Sequence, residues 1–288
     1  MIEFFEPDFV AEHYRTRHPD LRRMSDIELK AHFDAYGRDE GRGASASAGR
    51  DPFVAAFAHA RRALEIGPFA NPMLTPGPNR IFVDVLDTEG LVARAKALGL
   101  DSAKVPPIDH ALSAMDLSEV DGEFDLVASS HCIEHQPDLV AHVKAVERKL
   151  AADGVYALLV PDCRYCFDHF LPPSNIAEVL LAHRERRTRH TLAKVIEHRA
   201  LTTHNDSRRH WAGDHGGDPL DIGKVRAALA EYDASGGAYI DVHGWQFTPS
   251  SFRRLFNALA DLGVTLLRPA RVYDTLRDSN EFCAVLMR

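Results

Sequence analysis

Apolar residues along the chain change period several times, and each change marks an element. Ala63–Ile66 is a short unbroken apolar run around one acid, and Arg80–Asp84, Phe124–Ser129 and Val155–Val160 repeat the form. Runs of this length suit strands buried on both faces. Between them lie stretches of helical period. One is Thr88–Leu98, with Asp87 or Thr88 as cap, and another is Leu139–Leu150, closed by Asp153-Gly154. A weaker strand is expected over Lys104–Ile108. Thr248-Pro249 opens a helix over Ser250–Leu262. Two final strands, within Val264–Leu276 and Glu281–Met287, are joined by a polar turn at Arg277–Asn280, so the last strand should run antiparallel. Strands alternating with helices predict an α/β fold with a mostly parallel sheet covered on both faces.

Two segments stand outside this alternation. In residues 1–43, Phe9, Tyr14, Leu21, Leu29, Phe33 and Tyr36 sit among charges at roughly helical spacing, and the glycines of GRDEGRG end the pattern. A small helical module is expected there, too small for much stability alone and suited to packing or to docking a protein partner. Residues 44–50, ASASAGR, read as a flexible linker, which leaves 51–288 as the main domain. Residues 163–247 interrupt that domain, with helices expected near 175–187, 191–200 and 221–234.

Composition narrows the class. The chain has 288 residues, 45% hydrophobic and 26% charged, which suits a globular protein with a core of useful size. No apolar run approaches the ~20 residues that span a membrane. The acidic start, MIEFFEPDF, lacks a basic n-region, so no signal peptide and a cytoplasmic location are expected. A net charge of −8 argues against broad nucleic-acid binding. Four cysteines are too few for a disulfide scaffold. Residues 183–210 nevertheless carry eight Lys/Arg against three Asp/Glu. That stretch is either a solvated helical face or a wall for an anionic substrate.

The stretch LEIGPFANP (64–72) runs from a buried strand into a glycine turn, where many α/β proteins hold a nucleotide. A dinucleotide needs its pyrophosphate on a helix N-terminus. Here the twelve residues between Gly67 and Arg80 include Pro68, Pro72, Pro76 and Pro78, and no ordinary helix fits. A nicotinamide cofactor is therefore disfavoured, and there is no GK[ST] of a P-loop.

Glu65-Ile-Gly-Pro…Asn71-Pro72, the strand-end acid Asp84, and Phe124-Asp-Leu-Val-Ala-Ser-Ser-His131-Cys-Ile-Glu134-His135 resemble class I S-adenosylmethionine (SAM)-dependent methyltransferases. Leu150…Asp153-Gly154…Val160-Pro161-Asp162 and the terminal hairpin add to the resemblance, which covers about 60–162 and 248–288. It is strongest toward bacterial methyltransferases with an EIGP loop, a SHxIEH strand exit and a DVHxWxFTP segment, here Asp241–Pro249. The resemblance implies a Rossmann-like sheet with an antiparallel C-terminal strand. It implies SAM as cofactor, and an acceptor of sugar or glycan type in surface-polysaccharide synthesis.

Under that reading Gly67, Pro68 and Asn71 approach the methionine end of the cofactor, glycine permitting the close contact. Glu65 attracts its cationic groups. Asp84 accepts the ribose hydroxyls, and Asp116 meets the adenine amine or caps a turn. Ser129, Ser130 and His131 leave a strand at its carboxyl end, where open α/β sheets bind ligands. Oxygen methylation benefits from a base, and His131, His135 and His243 are the candidates. Asp241, Trp245, Arg208 and Arg209 are candidates for the acceptor side, with 163–247 as pocket and lid. The pairing of Asp241 with His243 either orients an imidazole or is a structural cluster.

Two metal patterns were weighed against this. His131-Cys-Ile-Glu134-His135 matches the inverted zinc-peptidase motif, yet it follows a strand and Gln136-Pro137 disfavours a helix. Cys163-x-x-Cys166 with His169 lacks a second cysteine pair. No metal is expected, and small apolar cysteines near the site mouth are. The alternatives to an enzyme of methyl transfer are a non-catalytic module holding SAM or a partner, and a zinc-dependent hydrolase.

Overall fold

The structure is a computed structural model and describes residues 1–112 and 116–288. The chain opens with two short helices, α1 (Ala11–Arg17) and α2 (Asp26–His32), followed by α3 (Arg50–Ala55). Then come β1 (Ala63–Ile66), β2 (Arg80–Asp84), α4 (Thr88–Ala97), β3 (His110–Ala111), β4 (Phe124–Ser130), α5 (Leu139–Lys149) and β5 (Leu150–Pro161). The interruption holds α6 (Ile176–Arg184), α7 (Leu192–Ala200), α8 (Ser207–Trp211) and α9 (Ile222–Ala234). The chain ends with α10 (Pro249–Asp261), β6 (Arg268–Val272) and β7 (Glu281–Met287).

The strands form one sheet in the order β3-β2-β1-β4-β5-β7-β6. β1 to β5 pair in parallel, and β7 runs antiparallel to both β5 and β6. This is the Rossmann-like arrangement with a reversed C-terminal strand that the sequence pattern predicts. Both sheet faces are covered, as continuous apolar strands require. Leu64, Ile66, Val127, Tyr156 and Leu158 face one apolar layer, shared with α5 and α10. Ala63, Phe82, Leu126, Ala128 and Ala157 face the other, shared with Phe53 and Phe57 of the N-terminal side. α10 follows from its sequence: Thr248 and Ser251 form a reciprocal cap, Pro249 opens the first turn, and Phe252, Leu255, Phe256 and Leu259 line one buried face.

Several expectations need correction. The third strand is not Lys104–Ile108 but the two residues His110–Ala111, which pair with Val83 and Asp84. Pro106 and Pro107 explain this, since neither can donate to a ladder. The sixth strand is shorter than the apolar run around it. The linker is not loose: Ala44, Ser45 and Ser47 are buried, and the Ser47 hydroxyl accepts the Glu6 N–H at 3.0 Å.

The first 43 residues have their own small core of Tyr14, Leu21, Leu29 and Phe33, with Tyr36 left exposed. They are also fastened to the main sheet. Asp8 pairs with Arg253, Asp274 with Arg38, and the Arg277 N–H reaches the Gly41 carbonyl at 3.0 Å. Among the described residues, no helix is long and apolar enough to cross a membrane.

Candidate functional site

The turn after β1 is built from underneath. Glu65 is fully buried, and its two carboxylate oxygens accept the backbone N–H groups of Met73 (2.8 Å) and Leu74 (2.7 Å). Burial pushes its carboxyl up to about 7, against the pull of those two bonds toward the ionised form. Glu65 is therefore an anchor for the proline-rich loop and does not line the cavity as expected. Residues 67–79 contain turns and bends but no helix, as the four prolines predict. Gly67 takes φ +68°, and its N–H donates to Val83 at 2.9 Å. A Cβ there would lie 3.4 Å from Cys132 Sγ, in the left-handed region that favours glycine.

Above this turn, at the carboxyl edge of β1 and β4, lies a cavity of about 570 Å³. Gly67, Pro68, Phe69 and Asn71 line one side, and Ser130, His131, Arg50 and Glu281 another. The last four form one hydrogen-bonded set. Arg50 grips Glu281 through Nε and Nη2 (both 3.0 Å) and donates to Ser130 Oγ at 2.8 Å. His131 Nε2 lies 2.7 Å from Glu281 Oε2. With Nε2–H donating to that carboxylate, Nδ1 is left as the free nitrogen. His131 has φ +48°, which swings its ring out of β4 into the cavity. Burial disfavours its charge, but the Glu281 bond and the Glu134 and Glu281 charges outweigh burial and raise its pKa. Burial likewise opposes the Glu281 charge, yet His131 and Arg50 bring that carboxyl down to about 2.

The other predicted cofactor residues divide. Pro68, Asn71 and Ser130 line the cavity. Asp84 is nearly buried at the end of β2, where its carboxylate accepts the Val85 N–H at 2.7 Å and serves the turn at Phe69 and Leu86. Burial raises its pKa despite those bonds. Asp116 is exposed and caps the Leu117–Glu119 turn through the Ser118 N–H (3.0 Å), which is the capping outcome. Its flanking residue Met115 lies outside the described residues. Ser129 turns to the opposite side of the sheet. Its hydroxyl meets Tyr156 at 2.7 Å, and Tyr156 meets His142 at 2.9 Å, in a buried chain away from the cavity.

Beside His131 the chain gathers a second group. Glu134 is fully buried, and neither carboxylate oxygen has a hydrogen-bond partner. Its Oε1 faces His131 Nδ1 at 3.7 Å, His135 Nε2 at 3.8 Å and His243 Nε2 at 3.9 Å. The Glu134 carbonyl draws the 241–245 segment in by accepting the Gly244 N–H at 2.8 Å. Gly244 permits the approach, since a Cβ would lie 2.6 Å from the His190 ring. His243 Nδ1 is 2.7 Å from the buried Asp168, and His135 Nδ1 is 3.0 Å from Asp241. Burial lowers His243 to about 3 and raises Asp168 to about 7. Asp241 is held well below the usual carboxylate range by His135, against burial and with help from Arg94 at 2.7 Å. Asp241 thus pairs with His135, and Asp168 takes the place beside His243 expected of Asp241.

The expected acceptor wall is less open than its charge suggests. Trp245 is buried, with its indole N–H on the Gln136 carbonyl at 2.5 Å, and so is a core residue. Arg209 is held by Asp214 at 2.8 Å, Arg187 by Glu185 at 2.6 Å and Arg199 by Glu231 at 3.0 Å. Arg208 is exposed on α8. Cys163 and Cys166 are buried, and burial raises both thiols, so neither is a ready thiolate.

Sequence reasoning missed Arg50, Glu281 and Asp168. Arg50 lies in the segment read as linker and Glu281 at the start of the last strand, so no local motif connects them to His131. Asp168 sits in the Cys163–His169 stretch, where a lone acid at an apolar position was the available signal.

No family model matches the chain, and no curated protein matches it. Solved structures resemble it in outline. One is an S-adenosylmethionine-dependent methyltransferase from Clostridium acetobutylicum, 18% identical over 39% of this chain and 47% of that one, with a TM-score of 0.28. The mitomycin 7-O-methyltransferase MmcR is 10% identical over 96% of this chain and 60% of its own, with a TM-score of 0.39. The DhpI–SAH complex is 12% identical over 96% and 94%, with a TM-score of 0.41. The chain spans less than two thirds of the length of the first two. At these identities and TM-scores the likeness carries no argument about this chain.

Proposed function

We propose that this chain is a SAM-dependent methyltransferase acting on an oxygen of a polar, sugar-like acceptor. The observation that carries the reading is the Gly67 turn. It lies at the carboxyl edge of the sheet, beside a cavity, with no helix following β1. A pyrophosphate has nothing to rest on there, whereas a cofactor without phosphate needs only backbone approach and polar partners. Asn71, Ser130 and the Arg50–Glu281 pair offer such partners.

His131 is the base in this reading. Glu281 fixes its tautomer and leaves Nδ1 free to take the acceptor proton. The acceptor oxygen attacks the sulfonium methyl in line, the new C–O bond forms as the S–CH3 bond breaks, and S-adenosylhomocysteine (SAH) leaves. The protein's part is to hold the two reactants within ~3–3.5 Å and keep water out. The polar lining supports a hydroxylated acceptor. The ion pairs made by Arg187, Arg199 and Arg209 weaken the case for an anionic one.

The test is incubation of the purified protein with SAM and pools of glycans and nucleotide sugars, followed by mass spectrometry. Acceptor-dependent SAH supports the reading. SAM binding without any SAH would leave a binding module, and absence of SAM binding would remove the reading altogether.

A further inference from the structure

The structure assigns a divalent transition-metal site to Glu134, His135 and His243. Three observations converge on it. First, the Glu134 carboxylate is fully buried with both oxygens unpartnered. A buried carboxylate without a hydrogen-bond partner is strongly disfavoured, and a cation is one of the few groups that removes the penalty. Second, His135 Nε2 and His243 Nε2 face Glu134 Oε1 at 3.8 and 3.9 Å, too long for a hydrogen bond. An ion bound at ~2.0–2.2 Å to each ligand fits between them after shifts of a few tenths of an ångström. The three ligand atoms lie within 4.8 Å of one another.

Third, a carboxylate stands behind each histidine. His243 sets its other nitrogen on a carboxylate, Nδ1 on Asp168 at 2.7 Å, while His135 Nδ1 lies 3.0 Å from Asp241 as an ion pair without hydrogen-bond geometry. The Asp168 bond fixes the His243 tautomer that leaves Nε2 as a lone-pair donor, and metal-ligating histidines characteristically have such a partner. Two imidazoles and one carboxylate suit Zn2+, Fe2+, Mn2+ or Co2+, with positions left open for substrate. The motif is not the helical zinc-peptidase one. Here His243 comes from the distant DVHGW segment, and the 133–135 turn presents Glu134 and His135.

Two other histidine groups fit less well. His169, His210 and His215 lie together, but His210 Nδ1 and His215 Nδ1 are 3.0 Å apart and already bond each other. Asp168, His198 and His243 would use the Asp168–His243 bond already made. The metal site stands whether or not the chain transfers methyl groups. Its role rests on the methyl-transfer reading: an ion beside His131 would take the acceptor oxygen as a ligand and lower its pKa.

The test uses full-length protein stripped with a chelator and titrated with Co2+. The expected result is saturable uptake near one ion per chain, with visible d–d absorption that Zn2+ removes. Asp168→Asn should weaken binding about 10–100-fold, the loss typical of an outer partner. Glu134→Gln should weaken it at least as much, and His210→Ala should leave it unchanged. The site is overturned by an absence of saturable uptake, or by uptake that survives Glu134→Gln and is lost in His210→Ala. Thermal melts of the metal-free variants confirm that each is folded. Because the readout is binding, failure here leaves the SAH assay standing, and the reverse also holds.

Discussion

Glu65 accepts the Leu74 N–H at 2.7 Å, across nine residues of chain that contain no helix. That bond, with its twin to Met73, converts a strand-end acid into the foundation of the proline-rich loop. Burial is the larger influence on its pKa and raises it from 4.5 to about 7. A carboxyl raised on folding contributes stability that is fully present below its unfolded pKa and is lost as pH rises through its folded one. Stability should therefore fall by roughly 3 kcal/mol between pH 4.5 and 7 from this group alone, and level off above. Urea melts of wild type and Glu65→Gln across that range measure it. Parallel curves for the two proteins would show that the backbone bonds, not burial, dominate.

Glu281 has the opposite sign. His131 and Arg50 hold it near 2, against burial, so its contribution is present above about 4.5 and is lost as pH falls toward 2. Glu281→Gln should cost on the order of 3 kcal/mol at neutral pH, with the gap to wild type closing in acid. Chemical denaturation at pH 7 and pH 3 checks the sign.

His131→Ala should lower turnover by about 10²–10⁴-fold, the range for a lost general base, while SAM affinity stays near wild type. Calorimetry with SAM and a turnover assay separate the two quantities. An equal fall in both would make His131 a wall of the cofactor cavity rather than the base.

What the sequence made legible follows from local physics. The parallel strands, the α10 cap and the helix-free loop 67–79 are each specified by neighbours a few residues away, so period and proline placement suffice. The antiparallel β7 was readable from the short turn before it. The site divides differently. Gly67, Ser130 and His131 could be placed at the sheet's carboxyl edge because strand ends position them. For Glu65 and Ser129, period alone cannot tell a polar group aimed at a ligand from one satisfied internally, as these are by Leu74 and Tyr156. Arg50–Glu281 joins residues 231 positions apart, and Asp168–His243 joins residues 75 apart. No spacing rule reaches so far.

Trp211 on α8 stacks on Tyr165 with ring centres 3.8 Å apart, and its N–H bonds the Ser279 carbonyl at 2.9 Å. These contacts tie the five-residue helix α8 to the strand exits. Trp211→Ala should cost about 3–5 kcal/mol at most, the range for a buried tryptophan, and less here because the ring is only half-buried. Limited proteolysis should then cut within 204–216 well before the rest of the chain. An unchanged cleavage pattern would mean that the histidine contacts of this segment hold it without the stack.

Gly67→Ala is the sharpest probe of the loop that follows β1. At φ +68° an alanine carries a left-handed penalty of ~1–2 kcal/mol, while its methyl would sit in ordinary contact with Cys132 Sγ at 3.4 Å. The backbone can relieve that strain only by moving. On one side Val83 and the Glu65 anchor resist; on the other lies the cavity. The loop should therefore shift toward the cavity, and SAM affinity should fall by more than the ~1–2 kcal/mol lost in stability. Calorimetric SAM titration beside urea denaturation of the same variant compares the two. If stability falls as expected while affinity holds, the cofactor does not approach the backbone at Gly67, and the proposed function loses the observation on which it rests.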